Sequence, residues 1–343
     1  MQKRDDAFSI NITDPDLNDS SAIVTMETID DTLLLVFKEN SIYKIITANS
    51  TDPQKTEPNT GHTYEKIAEH GAASPYVARI FLQSKRIIDQ AFHEDSIKSE
   101  LHKQVWILTE QLLNCAQFEF NIRNQLDDVL HQCNIIIEQN KGNRTIPPLA
   151  KVKNLENDAK SFLLTGKQFL IDCFKLLKVF TDLPIGARNE AHFNTHQEWL
   201  KQNRPELDTL NSTISSDLPW IRRLSECRNA VEHPGPGQLL TIENTKLHPG
   251  NKFSPPTWSY DLTNKLGVNE SNVPIYQELD AYLNNMFCFL EDILLICLSK
   301  QLEKDGMLSI YQHNEADIDP SFPIKYYASL SAEFYSKIKP VLE

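Results

Sequence analysis

Apolar residues recur at Ile97, Leu101, Val105, Leu108, Leu112, Cys115, Ile122, Leu126, Val129, Cys133 and Ile137. Steps of three and four, with one of seven, keep these side chains on one face of a helix. No glycine or proline interrupts the chain between Pro75 and Gly142. A shorter helix from about Pro75 to Phe92 precedes the long one, with the polar His93-Glu94-Asp95-Ser96 as the break. The helical period returns at Val152, Leu155, Ala159, Phe162, Leu163, Phe169, Leu170, Phe174, Leu177 and Phe180, and stops before Pro184-Ile185-Gly186. A short, more polar helix is predicted over 189–203. Ser216 or Asp217 can cap the next helix, with Pro219 in its first turn, where a missing N–H is tolerated. That helix carries Trp220, Ile221, Leu224, Cys227, Arg228 and Val231. It must end near Pro234, because a residue before proline is pushed out of the α region. A last long helix is predicted from about Ile275 to Leu302.

Other stretches read as β structure. Between residues 22 and 49, two β-rich runs flank the turn-like Lys38-Glu39-Asn40-Ser41. A polar, proline-bearing linker follows at 49–62. Residues 238–262 have hairpin character, with His248-Pro249-Gly250-Asn251-Lys252 at the turn, and 306–313 and 322–330 look like short strands. The long helices bury their stripes best against one another. The expected fold is therefore mainly α: a helical bundle of four core helices, with a small N-terminal β region and a β-hairpin insertion between the third and fourth. The expected divisions are 1–60 for the β region and linker, 75–305 for the bundle with its insertion at 235–265, and 306–343 for a C-terminal extension.

Composition narrows the function classes. The 343 residues are enough to bury a sizeable core. A formal charge of -13 makes the average surface acidic, so any contact with nucleic acid must come from a local basic patch. Six cysteines, at 115, 133, 173, 227, 288 and 297, form no C-x-x-C pair and fall mostly in apolar helical patterns. That usage fits a reducing, cytoplasmic compartment. Residues 1–14 lack the apolar core of a signal peptide, and the apolar run from Met286 to Lys300 is broken by Glu291 and Asp292 and is too short to span a bilayer. No membrane association is expected.

The candidate chemistry lies in Arg228-Asn229-Ala230-Val231-Glu232-His233, followed at once by Pro234-Gly235-Pro236-Gly237. On an unbroken helix, a five-residue step turns by about 140° and rises about 7.5 Å, so Arg228 and His233 would point to different sides. Ending the helix at His233 frees that side chain to swing back, and Pro234 supplies the break. Histidine titrates near neutrality and can act as base or acid. Arginine offers a planar fork of donors matched to phosphate. Together they can bind a phosphate, stabilise charge developing on it and move a proton, chemistry that requires no cofactor and no metal.

This hexapeptide resembles the signature of the HEPN superfamily: arginine, a polar residue most often asparagine, three variable residues, then histidine. The resemblance implies an α-helical bundle with the motif near the end of its third core helix. It further implies a metal-independent endoribonuclease, in host defence or stress, in which the ribose 2′-hydroxyl attacks the adjacent phosphate and leaves a 2′,3′-cyclic phosphate and a 5′-hydroxyl. His233 would be the general base or acid, Arg228 the phosphate clamp, and Asn229 would orient His233 or the phosphate. Its implied partners are RNA, a second copy of the chain that completes a composite site across a two-fold cleft, and a protein antidote. In toxins of the family with a nucleotidyltransferase antidote, a tyrosine stands two residues after the histidine. Here that residue is Gly235, so modification at that position is not implied.

Plainer readings stand beside this one. Arg228 and Glu232, four apart, have the spacing of an ordinary ion pair, contributing roughly 0.2–0.5 kcal/mol. A histidine in a last turn stabilises the helix dipole when protonated. Arg222 and Arg223 either extend a basic strip for an RNA backbone or form a solvated face. Trp220 and Trp258 are expected in packing rather than base stacking. His192 and His196 have an i, i+4 spacing but no third metal ligand. Glu119, Asp172, Glu291 and Asp292 lie within apolar helices, and Asp172 is the favoured one to orient Arg228. The alternative to a nuclease is a catalytically silent helical module that binds RNA, a nucleotide or a protein partner.

Overall fold

The computed structural model describes residues 20–29 and 33–336. Residues 1–19, where no signal-type core was read, and the last seven of the expected C-terminal extension lie outside the described residues. The chain divides into two compact units. One takes in residues up to 109 and from 294 onward; the other is residues 110–293.

The first unit is built on an antiparallel sheet of four strands in sequence order, β1 (Ile23–Ile29), β2 (Leu33–Lys38), β3 (Ile42–Ile46) and β4 (Thr63–Ala68). Val36, Tyr43 and Ile45 form a buried cluster on the sheet, joined by Leu34 and Tyr64. After β3, Thr47 caps a four-residue helix, α1 (Ala48–Thr51), by accepting from the Ser50 N–H. Gly71 then passes so close to the β2–β3 turn that a Cβ there would lie 2.2 Å from the Lys38 carbonyl oxygen. The next residue exploits that approach: the Ala72 N–H donates to the Lys38 carbonyl at 2.7 Å. A π-helical turn (Tyr76–Leu82) leads into α2 (Gln83–Ala91). Phe37 of β2, Phe81 of the π turn and Trp106 pack ring on ring, with centroids 5.2–6.1 Å apart. Two late strands, β10 (Leu308–Gln312) and β11 (Tyr326–Leu330), form an antiparallel pair. The side-chain amide oxygen of Gln83, Oε1, holds them by accepting the backbone N–H groups of Lys325 and Tyr326 at 2.9 and 2.7 Å.

The second unit holds most of α3 (Asp95–Gln139), α4 (Leu155–Thr181), α5 (Phe193–Asn203), α6 (Asp208–Glu232) and the first part of α7 (Ile275–Asp305). Phe174 of α4 packs against Phe193 of α5 and Phe289 of α7, and Trp220 of α6 meets Phe289 edge-on. Gly166 lets α4 approach α6: a Cβ there would lie 3.2 Å from Leu224 Cδ1. Between α6 and α7 stands an antiparallel sheet in the order β5 (Leu239–Glu243), β8 (Thr257–Leu262), β9 (Val268–Pro274). A ribbon of β6 (Lys246–His248) and β7 (Lys252–Ser254) interrupts it, with Gly250 and Asn251 at positive φ in its turn.

Several expectations need correction. Helix predominates, at 54% against 19% strand, so the chain is mainly helical with added β. It is not a HEPN-like bundle of four core helices: the described residues hold eight helices and four small sheets. Two of the four expected core helices, α3 and α7, each contribute to both units. At about 1.5 Å per residue the 45 residues of α3 run roughly 68 Å, longer than one small core can cover. The insertion, expected over 235–265, runs on to Pro274 and is a three-stranded sheet plus a ribbon rather than a single hairpin, because β8 pairs with β5 on one side and β9 on the other.

α6 begins at Asp208, eight residues before the expected cap, with Pro219 inside it. Buried Leu210 and Ile214 extend its apolar stripe back through two turns, and that packing outweighs the one ladder bond a proline removes. The last helix, read to Leu302, extends to Asp305. It is long and apolar enough to cross a membrane by length and composition, and its most apolar window is 61% buried.

Candidate functional site

α6 ends where Pro234 requires. His233 caps it with φ -131° and ψ 60°, and its N–H closes the last ladder bond onto the Asn229 carbonyl at 2.8 Å. The chain then turns tightly, with Gly235 and Gln238 exchanging backbone hydrogen bonds at 2.9 and 3.0 Å. Gly237 sits at φ +69°, and a Cβ there would lie 2.9 Å from Thr263 Oγ1. This turn sends the chain into β5 and leaves the His233 side chain 73% exposed.

Arg228 and His233 converge on one atom. Arg228 Nη1 lies 2.5 Å from Glu232 Oε2, and His233 Nε2 lies 3.8 Å from the same oxygen. The non-helical dihedrals of His233 undo the divergence that an unbroken helix would impose. Arg228 is 23% exposed, and its Nε is buried without a hydrogen-bond partner. A buried donor of this kind costs about 1–3 kcal/mol, so the guanidinium keeps a donor for which the described residues supply no acceptor.

Asn229 is turned away from His233. Its Oδ1 accepts from Lys167 Nζ of α4 at 2.7 Å, and its Nδ2 donates to Glu226 Oε2 at 3.1 Å. Both ends of the amide are thereby fixed, and its side chain does not orient the imidazole. Lys167 was not read from the sequence as a site residue. It follows Gly166, so the close approach of α4 to α6 brings it to the motif. Burial, and next the charge of Arg228, hold the Lys167 ammonium below the usual lysine range, against the pull of Glu226, Glu232 and Glu190. The end of α6 therefore gathers a lysine, an arginine and a histidine, with Glu226 and Glu232 among them.

Arg222 and Arg223 point toward the β insertion. Arg222 Nη2 donates to the Lys265 carbonyl at 3.3 Å. Arg223 Nη1 lies 4.0 Å from Glu270 and 3.8 Å from Glu278. Glu278 also accepts from Trp258 Nε1 at 2.6 Å and from the hydroxyls of Tyr260 and Tyr282, each at 3.2 Å. Burial, reinforced by the Glu278 charge, pushes the Tyr260 phenol well up, and Tyr282 likewise. This network ties α6, β8 and α7 together and explains the buried Trp258. Trp220 donates to Asp217 at 2.8 Å.

The remaining candidates lie elsewhere. Asp172 accepts from Gln111 of α3 at 2.8 Å and from Gln168 of α4 at 3.0 Å and pairs with Lys175 of α4, so it is engaged by these groups rather than by Arg228. His196 is buried against Phe174, and burial lowers its pKa. Among the described residues no group of three or more His, Cys, Asp or Glu side chains is arranged to hold a metal ion. Compared with known proteins, the chain matches no family model, no curated protein and no solved structure.

Proposed function

We propose that the end of α6 handles phosphodiesters and that the protein is a cytoplasmic endoribonuclease acting on single-stranded RNA, with the metal-independent chemistry implied by the RNxxxH motif. The observation that carries this reading is the meeting of Arg228 and His233 on one Glu232 oxygen beside Lys167. In the proposed reaction the ribose O2′–P bond forms as the P–O5′ bond breaks. One imidazole takes the 2′-hydroxyl proton and another group gives a proton to the leaving 5′-oxygen. In a two-fold dimer the second group is the partner subunit's His233. Arg228 binds the non-bridging oxygens, whose charge grows in the transition state, and a donor so placed contributes roughly 3–4 kcal/mol. An incoming phosphate must displace Glu232 from Arg228.

That last requirement also supports a second reading. A guanidinium already held at 2.5 Å by a carboxylate is a stable ion pair, as in a silent module that binds RNA, a nucleotide or a protein without cutting. The test is cleavage of single-stranded RNA in EDTA, with product ends analysed for cyclic phosphate. His233→Ala should abolish cutting, a loss of at least about 100-fold for an acid–base group. It should leave the unfolding midpoint unchanged, since the side chain is exposed. Cleavage that survives the substitution removes the catalytic assignment; stoichiometric binding without turnover by the wild type favours the silent module.

A further inference from the structure

We infer that Lys167 is a second phosphate-binding cation of this site, held at the motif by Asn229; the inference rests on the RNA-binding reading above. Three observations carry it. The first is placement. Lys167 is on α4, one residue after the glycine that admits Leu224 of α6, so its position beside Asn229 is fixed by packing in the helix pair. The second is its partner. Neighbouring lysines on α4 pair with carboxylates, Lys160 with Glu156 and Lys175 with Asp172 and Glu190. Lys167 instead donates to a neutral amide oxygen, and among the described residues no carboxylate lies within ion-pair distance of it. The third is its company. The chain has 47 acidic residues against 34 lysines and arginines, yet this half-buried lysine stands near enough to Arg228 for the two charges to oppose each other.

Glu232 neutralises Arg228 at rest, and Glu226, Glu232 and Glu190 also act on Lys167; a phosphate that displaces Glu232 takes over its charge and is shared by the two neighbouring cations. An ammonium has three N–H donors. One is spent on Asn229, and the other two remain for an acceptor. A phosphodiester has two non-bridging oxygens, so Arg228 can take one with its fork and Lys167 the other as a point charge. Asn229, whose amide is fixed by Glu226, then acts as a positioning residue: it aims Lys167.

The experiment uses the full chain and a single-stranded oligonucleotide carrying 2′-deoxyribose at the scissile position, so that binding is read without turnover. Lys167→Gln should weaken binding about tenfold and lower the slope of log affinity against log salt by about 0.7, the contribution of one phosphate contact on a single strand. Lys167→Arg should keep the wild-type slope. Lys167→Met, which retains the apolar stem, replaces the glutamine variant should that one fail to fold. If the wild type binds and cuts RNA while Lys167→Gln has unchanged affinity, the inference fails and the nuclease reading stands. Weaker binding at an unchanged salt slope means that Lys167 only supports the fold, and this also overturns the inference. If the wild type neither binds nor cuts RNA, both fall together.

Discussion

Glu232 links two readings that the sequence presents as rivals. Its four-residue spacing from Arg228 announces an ordinary helical ion pair, and that pair forms; the same carboxylate oxygen also draws in His233. The helix end was legible because Pro234 dictates it. Lys167 was not legible, since nothing in a lone lysine between Gly166 and Gln168 says that a second helix will meet it there. The first unit offers a sharper electrostatic case. Asp89 lies 3.2 Å from Lys85 Nζ and 3.1 Å from His102 Nε2. Burial pushes its carboxyl up, but the contacts with His102 and Lys85 outweigh that and leave it below its ordinary 3.8. The folded protein thus binds this proton less tightly than the unfolded chain. The stability that Asp89 supplies is complete above the unfolded value and disappears as pH falls through the lower folded one. The gap in thermal unfolding between wild type and Asp89→Asn should therefore close as pH falls from about 5 toward about 2. A gap that stays constant over that range would refute the linkage.

At the scale of elements, periodicity found the helices and missed what modifies them. The stripes from Ile97 to Ile137 and from Val152 to Phe180 correspond to α3 and α4. The start of α6 was misplaced because Pro219 is a good first-turn residue, and only burial of Leu210 and Ile214 shows that the helix passes through it. β4 was passed over because Thr63–Ala68 follows a long polar stretch and is paired on one side only, with β3. What secures that sheet to the following helix is a backbone approach at Gly71 that has no signature in hydropathy. Gly71→Ala should destabilise the protein by about 3 kcal/mol, at the upper end of overpacking costs, because the added methyl meets backbone atoms that cannot rotate away. Denaturant unfolding measures this. A loss under about 0.5 kcal/mol, the range of ordinary surface changes, would show that the Lys38–Ser41 turn yields freely.

For the whole molecule, the four-helix arrangement failed because amphipathic stripes do not reveal how many cores they serve; α3 and α7 each serve two. The proposed composite site makes its own prediction at this scale. Arg228→Ala and His233→Ala should each be inactive alone. Exchanged with an equal amount of wild type, His233→Ala subunits should roughly halve the cleavage that the wild-type subunits give alone, since only about a quarter of the dimers then keep both imidazoles. Undiminished cleavage after exchange would exclude a cleft that needs the imidazole of both subunits. One further consequence follows from Gln83, which grips the backbone of Lys325 and Tyr326. Residues 110–293 are contiguous and can close while translation continues. The unit that begins first is finished last: α2 emerges early from the ribosome and waits, with the Gln83 amide still without these two partners, until more than two hundred further residues have been made.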